Sequence, residues 1–505
     1  MVFCLKENLK AHTKQLASTD HRNDQPLEIF WRFTMDKNSK NRTSVLSKGL
    51  FLTSLVWVSV CNAAPFSSAH EVDDVMAALM KEQGIPGAAI TIIKDGKPLY
   101  TSAYGFSNLE TKTPASTATV FQSGSVGKMF TSSVIMLLVQ DGKLKLDDPI
   151  APYFPEAKGM WEGITIRQVM QQRSGIPDYE QFNSIDIKQD YTDELLIGLL
   201  ASKKLDFAPG TQYRYSNSGY VALGMLIKRV SGRFYGDLLR ERLFSQCDMQ
   251  TAQVNMLKTV IPNRASGYVS SDGQLENPGP VSQSLAQTAD GSLLLTINDL
   301  AAWDACLSKG KPLSKESIDT EWEVPLMADG TQPITGYGFG WRNNIVNGHR
   351  LIDHGGSFQG FHAHYARFDN GISIGFLANL ETARSNYIVK RIAGIIDPSL
   401  LPLEKEIEGS AAETQKTKAA VIALMDGKSD PLLSPEIRKV FNDKHVSEIE
   451  ASFSKVSSDT QLVQVGETKE NTATHRTYKA ISGKVNYLDV AFLENKIVDV
   501  RFSSE

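Results

Sequence analysis

The sequence predicts an α+β chain: an antiparallel sheet flanked by helices, a helical subdomain inserted in its middle, and a small α+β domain at the C-terminal end. Three observations point there. Two strand-like runs, 88–94 and 98–105, flank Asp95-Gly96, a strong hairpin signal. Four more runs, at about 337–343, 350–354, 361–368 and 372–379, come far later, the last two joined by Asp369-Asn370-Gly371. Helical periodicity dominates between the two groups, so strands from both ends of one unit are expected to share a sheet around a helical insertion.

The first 64 residues read as an N-terminal extension and a signal peptide rather than as fold. Lys37, Lys40, Arg42 and Lys48 precede an apolar run from Gly49 to Val60, and Cys61-Asn62-Ala63-Ala64 supplies small residues for cleavage. The run is too short to span a bilayer comfortably, so the expectation is a secreted or periplasmic protein with no transmembrane anchor in the mature chain. Met1 and Met35 both remain open as the start. Residues 1–64 carry nine Lys/Arg against five Asp/Glu, so removing them takes the net charge from -4 to -8.

From Ala69 to Gln83, Val72, Val75, Met76, Leu79 and Met80 recur at helical spacing, and Gly84-Ile85-Pro86-Gly87 ends the run. After the first hairpin comes an apolar helix running to Gly142. A helix is predicted from near Thr165 to before Ser174, followed by a polar, mostly helical region to Leu205. Pro209-Gly210 turns the chain into helices at Tyr220–Val230 and about 235–244. Residues 251–290 read as a Gly-, Ser- and Asn-rich loop, and Asn298 to Leu307 as a helix with Asn298 as its N-cap. A helix from Ser385 to Ile395 closes the unit, which spans 70–397. Beyond a Pro402-containing linker, residues 403–505 carry helices at about 412–425, 434–443 and 446–454, then strands at 460–466, 473–480, 485–492 and 496–502. They contain no evident catalytic set.

Composition excludes several function classes. With 505 residues, 41% of them hydrophobic, the chain can bury more than one core. A net charge of -4 and the absence of a basic run argue against nucleic acid as a partner. The four cysteines, Cys4, Cys61, Cys247 and Cys306, have no metal-ligand spacing. Cys247 and Cys306 are either a disulfide of an oxidising compartment or two buried thiols. His362-Ala363-His364 lacks a carboxylate or cysteine at ligand spacing, and strand alternation alone puts both histidines on one face. No metal and no cofactor is called for; a small molecule or peptide is the expected partner, and oligomeric state cannot be read.

The chemistry concentrates at Ser125. It follows Gly124 and opens the apolar helix, and Lys128 stands three residues on, hence on the same face. Burial lowers a lysine's pKa, and a neutral amine can take a proton from a serine. The same Ser-x-x-Lys spacing recurs at Ser308 and Ser452, but in a loop-like stretch and a polar helix. Two further elements complete the set. Tyr215-Ser216-Asn217 offers a phenol and an amide, and none of the other tyrosines has an asparagine two residues later. His354-Gly355-Gly356-Ser357 offers a strand end whose glycines admit a substrate backbone, and whose next N–H can join that of Ser125 in an oxyanion hole. Ser123 stands where a Gly-x-Ser-x-Gly elbow needs glycine, so that class of serine hydrolase is excluded.

In this order, the stretches Phe121–Ile150, Gln172–Tyr179, Phe207–Gly224, Tyr337–Trp341 and His354–Phe361 resemble the landmarks of the serine β-lactamase and penicillin-binding-protein superfamily. The similarity is greatest to its class C β-lactamase-related, peptidase S12-like group of β-lactamases, D,D-carboxypeptidases, D-aminopeptidases and esterases. The resemblance covers roughly 70–397 and implies the β-lactamase/transpeptidase-like fold. It implies that Ser125 is the acylated nucleophile, Lys128 its proton partner and Tyr215 the base or relay. Asn217 orients substrate and Lys128; His354, Gly355 and Gly356 form the third motif; Ser357 gives the second oxyanion N–H. The chain departs from the β-lactamases in carrying His354 where they carry lysine. A histidine meets a substrate carboxylate with charge only when protonated. Esters, D-amino acid amides or D-Ala-D-Ala-type peptides are therefore expected ahead of β-lactams. A true class C-like β-lactamase and a non-catalytic penicillin- or peptidoglycan-binding protein are the alternatives.

Overall fold

A computed structural model describes residues 66–505 except 272, 325, 327–335, 347–348, 402–406, 408, 436, 441–455, 471–472, 483 and 505. The expected N-terminal extension and signal peptide, Cys4, Cys61, most of the linker and the helix expected at 446–454 lie outside the described residues.

Helix α1, Ala69–Gln83, buries the stripe Val72, Met76, Leu79 and Met80 and ends at Gly84 in the left-handed region (φ 68°). Strands β1 (Gly87–Lys94) and β2 (Lys97–Asn108) follow. Asp95 and Gly96 both take positive φ, 51° and 74°, as a tight turn matched to strand twist requires. The later strands are β3 (Arg342–Val346), β4 (His349–Phe358), β5 (Phe361–Phe368) and β6 (Ile372–Ala378). One seven-stranded sheet collects them, in the order Thr113–Pro114, β2, β1, β6, β5, β4, β3. The junction is antiparallel, with Ala88 opposite Ala378 and Ile92 opposite Ile374. The two ends of the unit thus meet at the centre of its sheet, as the strand grouping predicted.

Both faces of the sheet are covered, which is why β1 reads as a continuous apolar run rather than an alternating one. Ile90, Ile92, Ile374 and Phe376 face a core shared with α1 and with α5 (Ser385–Ile396). Ala89, Ala363, Tyr365 and Leu377 face the larger core of the helical insertion. At its centre runs α2, Gly127–Gln140, buried at every position from Gly127 to Leu138. A helix buried on every face is packed on every face, its few polar side chains included, and α3 (Asn217–Ser231) and α4 (Ile297–Lys309) are among its neighbours in this core.

Several local expectations are corrected. The N-cap of α4 is Thr296, whose hydroxyl and the Asp299 carboxylate form a reciprocal capping box; Asn298 lies inside the helix. The polar region before Leu205 holds only the 3₁₀ turn Tyr179–Gln181 and the helix Asp193–Ala201. The 251–290 loop contains short strands at Gln253–Val254, Val269–Ser271 and Gln274–Glu276 and a helical turn at Gln283–Ala286. The expected strand at 337–343 begins only at Arg342, because the chain folds back there: Gly338 N–H donates to Trp341 O and Gly340 takes φ 76°. Helix 235–244 is an α turn followed by a wider π turn, Leu239–Phe244.

Cys247 and Cys306 form a disulfide that ties the end of this π turn to α4, with Cα atoms 5.4 Å apart. It closes a loop of 59 residues, which in a chain-entropy account is worth about 4 kcal/mol. Replacing both cysteines by alanine should lower the unfolding free energy by about that amount in denaturant titration without reductant. A loss below about 1 kcal/mol would show that the closed loop is already restrained in the unfolded chain.

The C-terminal part packs α6 (Ala411–Met425) and the turn Ile437–Val440 on an antiparallel meander, β7 (Gln461–Glu470), β8 (Ala473–Ser482), β9 (Lys484–Leu493) and β10 (Lys496–Ser504). Its core includes Val421, Leu424, Ile437, Tyr478, Leu488, Val490 and Ile497, none of them shared with the other two cores. Among the described residues, no helix is long and apolar enough to cross a membrane.

Candidate active site

Ser125 sits in a single 3₁₀ turn, Gly124–Val126, that runs directly into α2. The turn is held from both sides. A short sheet pairs Phe121 with Leu295, and the Ser123 N–H donates to Leu293 O at 2.8 Å. On the other side the turn rests on β4. A Cβ on Gly124, whose φ is 51°, would lie 2.5 Å from Ser357 N; one on Gly356 would lie 2.6 Å from Ser125 N. Neither position can carry a side chain, so the glycines of the third motif bring the backbone of Ser357 against that of Ser125. Gly355 and Gly356 lie within β4, not at its end, because the strand continues to Phe358.

Lys128 is fully buried. Its ammonium donates to Asp290 O at 2.5 Å, Asn217 Oδ1 at 2.7 Å and Ser125 Oγ at 3.0 Å. Burial lowers its pKa to about 8, against the pull of Asp290, Asp178 and Glu180. The first two acceptors, a carbonyl and an amide oxygen, can only accept. When Lys128 loses a proton, its two remaining N–H groups stay with them and the lone pair faces Ser125 Oγ. Asn217 opens α3 and is itself fixed, with both its N–H and its Nδ2 donating to Asp178 Oδ2 at 3.2 Å. Burial raises the Asp178 pKa, with its backbone hydrogen bonds opposing.

Tyr215 places its ring 4.9 Å from Lys128 Nζ. Removal from water pushes the phenol's pKa up strongly, a hydrogen bond with Ser125 opposing. The resemblance implied a base or relay at Tyr215; removal from water leaves the proton on its oxygen, so it acts here as a donor.

His354 is corrected more sharply. Its imidazole is fully buried, with Nε2 3.0 Å from Tyr337 Oη and its ring 6.1 Å from that of Tyr215. Burial, then the charges of Arg342 and Lys128, hold its pKa well below the usual value. It therefore stays neutral and cannot meet a substrate carboxylate by protonation. The cation that stands here is Arg342, opposite Asp353 in the β3–β4 ladder. Burial works against its charge, but Asp353, Tyr213, Tyr215 and Tyr337 outweigh it, and the residue still reaches solvent. His364 is spent on a buried pair with Asp353, Nε2 to Oδ2 at 2.9 Å. Among the described residues no group of His, Cys, Asp and Glu could hold a metal ion.

Ser125, Lys128, Tyr215 and Asn217 are thus brought together, with Gly356 and Ser357 against the backbone of Gly124 and Ser125. Sequence reasoning missed Asp178, Asp290 and Arg342. Asp178 and Arg342 lie in or next to stretches singled out at the sequence level, Gln172–Tyr179 and Tyr337–Trp341; Asp290 carries no local signal.

The family described as Beta-lactamase matches residues 72–393. Protein flp of Staphylococcus aureus (strain NCTC 8325 / PS 47) is 26% identical over 303 residues, 58% of this chain and 59% of flp. The match therefore spans about three fifths of that relative's length. Penicillin-binding protein 4* of Bacillus subtilis (strain 168) is 28% identical over 307 residues, 57% of this chain and 66% of the relative. An octameric penicillin-binding protein homologue from Pyrococcus abyssi superposes with a TM-score of 0.58 at 22% identity, covering 86% of this chain and 98% of its own. A D-stereospecific amidohydrolase from Streptomyces sp. superposes at 0.55 and 23% identity, covering 65% and 98%. At these identities the structural likeness speaks for the fold.

Proposed function

Because the chain belongs to the Beta-lactamase family, whose fold is that of serine hydrolases, we propose that it acts through a Ser125 acyl-enzyme on an ester, a D-amino acid amide or a D-Ala-D-Ala-type peptide. One observation carries the reading: the arrangement around Lys128 Nζ, in which two fixed acceptors leave the third direction to Ser125 Oγ.

The steps follow from it. Neutral Lys128 takes the Ser125 proton as Oγ bonds to the substrate's carbonyl carbon. The oxyanion lies toward the backbone N–H groups of Ser125 and Ser357. Collapse breaks the bond to the leaving group, which departs with a proton supplied through Tyr215 O–H and Lys128. Water then attacks the acyl ester and gives a proton to Lys128, which passes it to Ser125 Oγ as the ester bond breaks, freeing the acid and restoring Ser125 and neutral Lys128.

Arg342 supports substrates with a free carboxylate, because a guanidinium gives a permanent, fork-shaped donor. The same observation favours a second reading, a class C-like β-lactamase. The test is a serine-directed aryl phosphonate followed by peptide mapping, with nitrocefin, a D-alanyl amide and p-nitrophenyl butyrate compared on the same preparation. The expected outcome is an adduct on the peptide containing Ser125 and faster cleavage of the amide or ester than of nitrocefin. Nitrocefin as the best of the three would make β-lactamase the function. No labelling by phosphonate or penicillin would make the chain a non-catalytic binding protein.

A further inference from the structure

The turn after Pro177 brings more carboxylates to the site than acyl transfer uses. Asp178 is spent on Asn217 and on the Glu180 N–H, which donates to its Oδ1 at 3.2 Å. The Tyr179 N–H donates to Ser218 Oγ at 2.8 Å, and its hydroxyl to Asp290 Oδ2 at 3.2 Å. The turn is therefore pinned to the two elements that hold Lys128, the first turn of α3 and the Asp290 loop. Glu180, next along the chain, is exposed, and its carboxylate has no ion pair or hydrogen bond among the described residues. Asp290 is 7% exposed, yet its Oδ1 has no hydrogen-bond partner.

The charged groups around the Glu180 carboxylate are Asp178, Asp290, Lys128 and Glu381. Glu381 belongs to the opposite wall, where its carbonyl accepts from Ser357 Oγ at 3.3 Å and its Oε2 from the Gly360 N–H at 2.7 Å. Although the residue reaches solvent, its carboxylate is partly withdrawn from water, and this, then the charges of Asp178 and Asp290, raise the Glu180 pKa to about 7. When Lys128 gives up its proton to act as a base, this side of the site is left with three carboxylates and no cation of its own. Arg342 stands on the other side, among Tyr213, Tyr215 and Tyr337. An ammonium group beside Glu180 would fill that deficit.

We infer that Glu180 is the specificity-determining residue that receives a free amino group on the substrate's acyl part, so that the preferred substrates are amino-acid amides and unblocked short peptides rather than N-acylated ones. The inference rests on the acyl-enzyme reading above. Its pH window follows from the two partners. Glu180 must be ionised, above about pH 7, and the substrate's amine protonated, below roughly pH 8. The bound ammonium also disfavours protonated Lys128, so the base is freed at a lower pH with such a substrate than with a neutral ester.

The experiment compares kcat/KM for D-alanine p-nitroanilide and its N-acetyl derivative at a pH between those limits, on the wild type, Glu180→Gln and Glu180→Asp. A charge-assisted hydrogen bond is at stake, so the wild type should prefer the free amine roughly tenfold. The preference should fall to near unity in Glu180→Gln and largely survive in Glu180→Asp. An unchanged ratio in Glu180→Gln, or a wild type that prefers the N-acetyl compound, overturns the assignment. A second measurement is independent of turnover: the rate at which diphenyl 1-aminoethylphosphonate and its N-acetyl form label Ser125 should show the same ratio. Equal labelling rates would remove Glu180 alone; no labelling by either probe would remove the acyl-enzyme reading with it.

Discussion

Ser125→Ala should abolish hydrolysis of p-nitrophenyl butyrate, by on the order of 10⁴-fold or more, while the fold stays as it is. The two halves of that result have separate causes. Ser125 makes no helix-capping hydrogen bond, so its hydroxyl does not hold the start of α2. The turn is held instead by its backbone, through Ser123 N–H to Leu293 O and the close approach of Gly124 to Ser357. Removing one oxygen atom from a partly exposed side chain should then change stability by less than about 1 kcal/mol. The chemistry has no substitute at that point, since Ser123 and Ser132 are fully buried and neither bonds to Lys128. Turnover above a tenth of wild type, with unfolding unchanged, would place the nucleophile elsewhere.

What the sequence made legible is what short-range physics writes into it. The Ser125–Lys128 pair was visible because one helical turn separates them and an apolar run follows. The central sheet was visible because Asp95-Gly96 and Asp369-Asn370-Gly371 are turn chemistry and the strands between are apolar. Burial was not legible in the same way. His354 looked like a strand-end residue able to meet a substrate, but β4 runs on through Gly355 and Gly356 to Phe358, and its ring packs against Tyr337 and Tyr215. Nor does spacing reveal a residue that acts across the chain. Asp290 reaches Lys128 from 162 residues away through a backbone carbonyl, for which any residue type would serve. Arg342 is a single charge in a strand, and only the ladder that sets it opposite Asp353, together with the three phenols around it, distinguishes it from an ordinary surface arginine.

Lys128→Met tests the proton chemistry itself. A positioned general base contributes roughly 10²–10⁴-fold, and here it also holds Asn217, so kcat/KM for an ester should fall by about 10³-fold or more. Wild-type kcat/KM should rise with pH through about 8, because only the unprotonated amine can take the serine proton; the variant should lose that rise. Stability should move far less than activity, for a reason the linkage makes explicit. The folded pKa is depressed from 10.5 to about 8, so between those values the unfolded chain binds more protons and stability increases with pH. Below about pH 8 the cost of burying the ammonium is present in full, roughly 3 kcal/mol. Methionine removes that cost but leaves Asn217 Oδ1 and Asp290 O without their donor, at roughly 1–3 kcal/mol each. The opposing effects should leave the unfolding free energy at pH 7 within about 3 kcal/mol of wild type, far from an unfolded protein. A variant that keeps more than a tenth of the activity together with the rise through pH 8 would pass the role of base from Lys128 to another group.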